Sequence, residues 1–216
     1  MQPRVIYMAG TPRRTPIPRI VEGAGVGRPW SVVTSDSGAK GGGDPLGGED
    51  VKVKVNPEGP MLIVGRTTTL RQVSDADLDT LARWFGDPVF VVWWGGTPKS
   101  REEVAEKYLG FDPARQSFIV EADGMPIGYI QAWSNEPPDG GVDIVLVAEA
   151  QGRGLGVDAV RALSAHLRAA GWRQIIVDPV ARNRRAIRAF GKAGFVKIGE
   201  LGEHVLLAFE PETGSV

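Results

Sequence analysis

The sequence predicts an α/β fold, a mixed sheet flanked by helices, behind a glycine- and proline-rich N-terminal extension. Three observations carry that prediction. Helix and strand patterns alternate from residue 68 onward, an apolar strand runs through a glycine-rich turn into a long helix over residues 142–170, and the first sixty residues hold 11 Gly and 8 Pro. A chain of 216 residues has room for one complete core with some excess. The expected organisation is an extension over 1–60 and a single domain over 61–216.

A third of the extension is Gly or Pro, with glycines clustered at 41–43 and 47–48. Such a segment buries too little apolar surface to offset its ordering entropy. Within it, residues 4–8 and the V-K-V-K-V alternation at 51–55 are the pieces able to order, the latter as a short strand added to a sheet edge.

Each later element has its own signal. Residues 68–73 read as a strand. Ser74 caps a helix whose apolar positions Leu78, Leu81, Ala82 and Phe85 keep helical spacing until Gly86, Asp87 and Pro88 stop it. A Trp-Trp-Gly-Gly loop follows at 93–96, then a helix over 100–109 opened by a Ser100–Glu103 capping box. Strands at 117–121 and 126–133 are joined by a hairpin turn at 122–125. Residues 142–148 form the strand before the glycine turn, 154–170 the long helix and 174–177 a contiguous apolar strand suited to a sheet interior. A helix over 183–192 ends at Gly194, and strands at 195–198 and 204–209 complete the sheet. There is no internal repeat.

The turn Q-G-R-G-L-G at 151–156 carries the first functional signal. Glycines let the backbone approach a ligand, and the free N–H groups of a helix's first turn attract anions. Two phosphate-binding classes fail on spacing. No Lys-Ser or Lys-Thr follows Gly156, which excludes the nucleotide-hydrolase loop, and the third glycine is misplaced for the dinucleotide fingerprint.

What remains is the pattern [QR]-x-x-G-x-[GA], followed downstream by N-x-x-A-I-x-x-F-x-K-x-G-F from Asn183 to Phe195. In these two motifs the chain resembles the GNAT superfamily of N-acetyltransferases, which implies a mixed, mostly antiparallel sheet and acetyl-CoA as cosubstrate. Trp93, Trp94, Gly95 and Gly96, then Glu106 to Leu109, Pro126 to Tyr129, Gly141 to Asp143, and Asp178 with Pro179 are similar to the serial landmarks of aminoglycoside 6'-N-acetyltransferases. The similarity spans residues 68–209 and implies acetyl transfer to an amine of an aminoglycoside or similar amino sugar. Acetylation of a protein N-terminus or a siderophore-type small amine, or acetyl-CoA binding without turnover, stay open beside it.

Composition narrows the chemistry further. Zero cysteines exclude an acetyl-cysteine intermediate, so the transfer is expected to be direct, in a ternary complex. Net charge is −1, from 25 basic and 26 acidic residues, and no apolar run reaches a membrane span. A cytoplasmic protein is expected, a monomer or homodimer, with a small-molecule acceptor and neither nucleic acid nor membrane as partner. His166 and His204 are the only histidines and lack a ligand spacing, so no metal is expected.

Asp143 is the candidate base: early on the cofactor strand, it shares a face with Val145 and Val147 by strand periodicity, and the resemblance makes it the substrate-contacting aspartate. Cofactor contacts are assigned to Val145, Leu146 and Val147, whose strand edge is expected to pair with the amide-bearing pantetheine arm. The turn residues Gln151, Gly152, Arg153, Gly154, Leu155, Gly156 and Val157 join them, with Asn183. Backbone N–H groups near Leu146 or Val147 are the expected carbonyl polarisers. Trp93, Trp94 and Tyr108 offer flat surfaces to an acceptor ring, with Asp143, Asp178, Glu136 and Asp139 as counter-charges. Many relatives carry a tyrosine where this chain has Phe190, which has no proton to give. Tyr108 and Tyr129 remain as acid candidates, Tyr129 at a mid-strand position that suits the core. The connection over 134–141 is also shorter than in the aminoglycoside group.

Overall fold

The computed structural model describes residues 52–54, 61–136 and 139–210. Apart from the short strand at 52–54, the expectations for residues 1–60 lie outside the described residues. The elements run β1 (Lys52–Lys54), β2 (Leu62–Val64), β3 (Thr69–Gln72), α1 (Leu78–Phe85), α2 (Pro88–Val91), α3 (Arg101–Val104), β4 (Arg115–Ala122), β5 (Met125–Glu136) and β6 (Asp139–Leu146), then α4 (Leu155–Ala169), β7 (Gln174–Val177), α5 (Arg184–Lys192), β8 (Phe195–Leu201) and β9 (His204–Phe209). One sheet joins the strands in the order β1-β2-β3-β4-β5-β6-β7-β9-β8. Among the described strands only β6 and β7 pair in parallel, so the sheet is mixed and mostly antiparallel. No described helix is long and apolar enough to cross a membrane.

Strand alternation divides the apolar residues between the two faces of the sheet. Phe118, Val120, Ile130, Val142 and Leu146 pack with Val160, Leu163 and Leu167 of α4 and Phe190 of α5. Ile119 and Tyr129 point the other way, onto Leu81, Phe85, Phe90 and Tyr108 from the α1–α3 side. The β4–β5 turn has Asp123 at φ +52° and Gly124 at φ +73°, the geometry of a tight hairpin.

Three elements differ from the sequence expectation. Pro88 does stop α1, but it also opens α2 at its first turn, where a missing N–H costs nothing, and Asp87 caps it by accepting from the Val89 N–H at 2.8 Å. The predicted helix over 100–109 keeps its capping box but widens into a π-turn at Ala105–Leu109. β6 begins at Asp139 rather than Val142, because Gly140 and Gly141, poor strand formers by propensity, are needed there. A Cβ on Gly140 would fall 2.4 Å from the Trp172 ring, and one on Gly141 2.5 Å from the Trp133 ring.

The helix after the glycine turn is tied to the connection between β2 and β3 by an unforeseen contact. Asp158 in the first turn of α4 accepts hydrogen bonds from the Arg66, Thr67 and Thr68 N–H groups at 3.0, 2.9 and 2.9 Å, and from the Thr68 hydroxyl at 2.7 Å. Burial alone would raise this carboxyl, but those hydrogen bonds together outweigh it and hold it below the ordinary carboxylate value.

Candidate functional site

The parallel ladder between β6 and β7 is short. It runs through Asp139–Gln174, Gly140–Ile175 and Gly141–Ile176 and ends there, while β6 stays paired with β5 as far as Leu146. Beyond Gly141 the two strands part, and a cleft of about 380 Å³ opens between them. Its walls come from β6, from the turn at 151–157, from the segment following β7 and from α5.

Register decides which backbone groups face the opening. The Val147 N–H donates to the Ile127 carbonyl at 2.9 Å. An antiparallel ladder alternates, so the amides of Val145 and Asp143 also face β5, and those of Val142, Ile144 and Leu146 are directed toward β7. This corrects the expectation for the strand edge. Val147 is not available as a carbonyl polariser; the Leu146 N–H is the one directed into the seam. Val145 and Leu146 line the cleft and Val147 does not.

The turn at the end of the seam is shaped by two left-handed glycines, Gly152 at φ +80° and Gly154 at φ +84°. Gly154 is the residue before α4, so the free N–H groups of Leu155, Gly156 and Val157 head into the cleft end with the positive end of the helix dipole. The side chain of Leu155 is itself buried in the core. Arg153 is exposed at the tip and lies outside the cleft lining. Gln151 acts as a crossbar: its Nε2 donates to the Leu146 carbonyl at 2.8 Å and its Oε1 accepts from Arg185 of α5. Asn183 caps α5, its Oδ1 accepting from the Ala186 N–H at 3.1 Å.

Asp143 lines the cleft on the face it shares with Val145. Its orientation is set by a buried chain of polar groups. Tyr129 donates its hydroxyl to Gln131 Oε1 at 3.0 Å, the Ser117 hydroxyl lies 2.7 Å from Tyr129 Oη, and Gln131 Nε2 donates to Asp143 Oδ2 at 2.9 Å. Gln131 and Tyr129 are fully buried, so this network has little room to rearrange.

The aromatic candidates divide. Trp93 is 44% exposed and lines the cleft. Trp94 also lines it, but donates its indole N–H to Tyr108 Oη at 2.9 Å. Tyr108 lies behind that wall, stacked on Phe85 at 4.1 Å between centroids, and does not line the cleft. Burial pushes its phenol up to about 12, the Trp94 hydrogen bond opposing. Its hydroxyl accepts from the Trp94 indole and is set back from the cleft, so the structure does not bring it to the departing sulfur as the sequence reading expected. Lys107, beside it, is brought down to about 8 by burial and by the cations Lys99 and Arg115, with Asp143 opposing.

Asp178 lines the cleft and its carbonyl accepts from His204 Nδ1 at 2.6 Å. His204, given no role by the sequence reading, lines the cleft too. Asp139 sits at the paired end of β6, away from the cleft lining, where its carbonyl accepts from Ser134 Oγ. Glu136 pairs with Asp139 across the β5–β6 turn, and its side chain lies outside the described residues. Phe190 is buried in the cleft wall, tilted against Phe195.

Sequence reasoning missed Arg185, Arg188 and Lys192, which line the cleft from α5. The signal was present: spacing of three and then four residues puts all three on one helix face. Gln131 carried no such signal, since its role depends on cross-strand register.

An "Acetyltransferase (GNAT) domain" family profile matches residues 67–196. Two relatives named aminoglycoside N(6')-acetyltransferase type 1, from Klebsiella pneumoniae and Serratia marcescens, are each 36% identical over 152 residues, covering 62% of this chain and 76% of theirs. Among solved structures, AAC(6')-Ib in complex with paromomycin and acetyl-CoA superposes with a TM-score of 0.63 at 30% identity, over 69% of this chain and 98% of that one. The same enzyme with coenzyme A and kanamycin gives 0.59 at 28% identity, over 68% and 95%.

Proposed function

The chain belongs to the GNAT acetyltransferase family, and on that premise we propose that it transfers the acetyl group of acetyl-CoA directly to an amine of an aminoglycoside or similar amino sugar. The observation that carries the proposal is the open seam of β6 with the glycine turn at its end.

The residues present fit acetyl-CoA. The edge of Ile144 and Leu146, beyond the end of the β6–β7 ladder, suits the amides of pantetheine as a further strand would. The first turn of α4 suits a pyrophosphate, and Arg185, Arg188 and Lys192 supply positive charge along the same wall. When bound, acetyl-CoA supplies an acyl group already activated as a thioester. The Leu146 N–H is the donor for the oxyanion that develops during transfer.

Asp143 holds the incoming ammonium and orients it. Fixed on a strand and aimed at the cleft, the carboxylate contributes first by positioning and electrostatic stabilisation, with the proton passed on to water. Gln131 keeps the carboxylate aimed. Trp93 and Trp94 offer faces to the acceptor ring, and Asp178 offers a second counter-charge. Phe190 has no proton to donate, so the departing thiolate is protonated by solvent. The acceptor is a small molecule, and the protein acts in the cytoplasm as a monomer or homodimer.

The test is thiol release from acetyl-CoA against kanamycin-type aminoglycosides, N-terminal peptides and simple polyamines. Saturable turnover with an aminoglycoside supports the proposal. Turnover confined to peptides or polyamines replaces the acceptor, and tight cofactor binding with no turnover on any acceptor removes the catalytic reading.

A further inference from the structure

Trp93 and Arg182 meet beside the cleft. The Arg182 guanidinium carbon lies 5.5 Å from the Trp93 ring centroid, within the range of a cation–π contact. The two residues belong to separate segments, and of the two only Trp93 lines the cleft. Trp93 follows α2, in a turn held by the Trp94 and Gly96 N–H groups, which both donate to the Val91 carbonyl at 2.8 and 2.9 Å. Arg182 sits at the tip of the turn between β7 and α5. That turn is fixed by the Asn183 N–H on the Val180 carbonyl at 2.8 Å and the Ala181 N–H on the Glu203 carbonyl at 2.7 Å. Two anchored backbones are thus bridged here by side chains alone.

The bridge falls on a functional surface. Trp93 lines the cleft with Asp143 and Asp178, and its exposed ring is the face assigned above to the acceptor. We propose that Arg182 is a specificity-determining residue: an internal cation that covers the Trp93 face and must be displaced before an amino sugar stacks there. The inference rests on the aminoglycoside reading. An acceptor with several ammonium groups displaces the guanidinium because it replaces like with like on the ring, while Asp143 and Asp178 hold its other charges. A neutral ring gains no such exchange, so the contact selects for polycations. Arg182 is exposed, so its hold is weak, and its removal should strengthen acceptor binding by about two- to fivefold, the worth of an exposed cation–π contact.

The experiment compares wild type with Arg182→Ser and Arg182→Lys, using kanamycin as the probe in the presence of coenzyme A. Binding is followed by tryptophan fluorescence, with a Trp93→Phe protein identifying the Trp93 contribution. The expected result has three parts. Acrylamide quenches Trp93 more readily in Arg182→Ser, kanamycin Kd falls two- to fivefold in that variant, and Arg182→Lys stays near wild type. The KM for acetyl-CoA is unchanged, which a general loss of structure would not leave intact. In a Trp93→Leu background, Arg182→Ser has no further effect on kanamycin Kd. Equal or weaker kanamycin binding in Arg182→Ser, or unchanged quenching, overturns the gate alone. Kanamycin binding to neither protein overturns the aminoglycoside reading and the gate with it.

Discussion

Replacing Asp158 should separate the loss of a charge from the loss of an acceptor. Of its four donors, the Arg66 and Thr67 amides belong to exposed residues, where water takes over, while Thr68 is 3% exposed and its N–H and O–H have no such substitute. Hydrogen bonds to a charged acceptor contribute about 1.5–3 kcal/mol each, so Asp158→Ala, which removes the acceptor for both Thr68 groups, should cost about 3–5 kcal/mol. Asp158→Asn keeps an oxygen for Thr68 and loses the charge assistance and the acceptor of the exposed Arg66 amide, which water takes over, about 1–2 kcal/mol. At about 2–4 °C per kcal/mol for a domain of this size, melting should fall by roughly 10 °C for Ala and about 4 °C for Asn. The carboxyl is held below its unfolded value, so its stabilisation is complete above an unfolded pKa of ~3.9 and fades as pH falls through the lower folded value. The gap between wild type and Asp158→Asn should therefore be constant from pH 8 to about 5 and close below about pH 4. Urea denaturation across that range is the assay. Equal stability of the Asn and Ala variants, or a gap that persists unchanged in acid, would refute the reasoning.

Other outcomes follow from the site. Asp143→Asn should lower kcat at least about tenfold, within the range of an acid–base or positioning contribution, with acetyl-CoA KM little altered; steady-state kinetics in both substrates check this, and unchanged turnover removes Asp143 from the mechanism. The double variant Arg188→Ala, Lys192→Ala should raise acetyl-CoA KM and flatten its dependence on salt, because screening then has fewer cations to act on; an unchanged salt profile would show that neither cation meets the cofactor. Gly141→Ala places a Cβ 2.5 Å from the Trp133 ring and 2.8 Å from the Ile176 carbonyl, an overpacking expected to cost at least about 2 kcal/mol, read by thermal melting.

The sheet and helices were legible because their signals are local: alternation in β4 and β5, helical spacing in α1 and α4, and the capping box at Ser100. The glycine turn was legible because phosphate binding imposes a sequence spacing. Features set by register or by contacts across the sheet were not. Nothing local distinguishes Val147, whose amide is taken by β5, from Leu146, whose amide faces the seam. Tyr108 and Trp94 looked alike as acceptor surfaces until the fold put one behind the other. His204 lacked a partner in sequence because Asp178, whose carbonyl and carboxylate it meets, lies 26 residues away. Asp158 carried no signal within its predicted helix, since the amides it collects lie about ninety residues away.

The parting of β6 and β7 has a bearing on the lifetime of the protein. A sheet interrupted in its interior has lost part of the ladder that would resist local opening, and a ligand that completes the missing pairing stabilises the whole fold by mass action, by about 2.7 kcal/mol when it is present at a hundredfold over its Kd. Unliganded molecules will be the ones that open, and that proteases reach first. The amount of enzyme in a cell should then rise and fall with the supply of acetyl-CoA, through survival of the protein rather than through its synthesis.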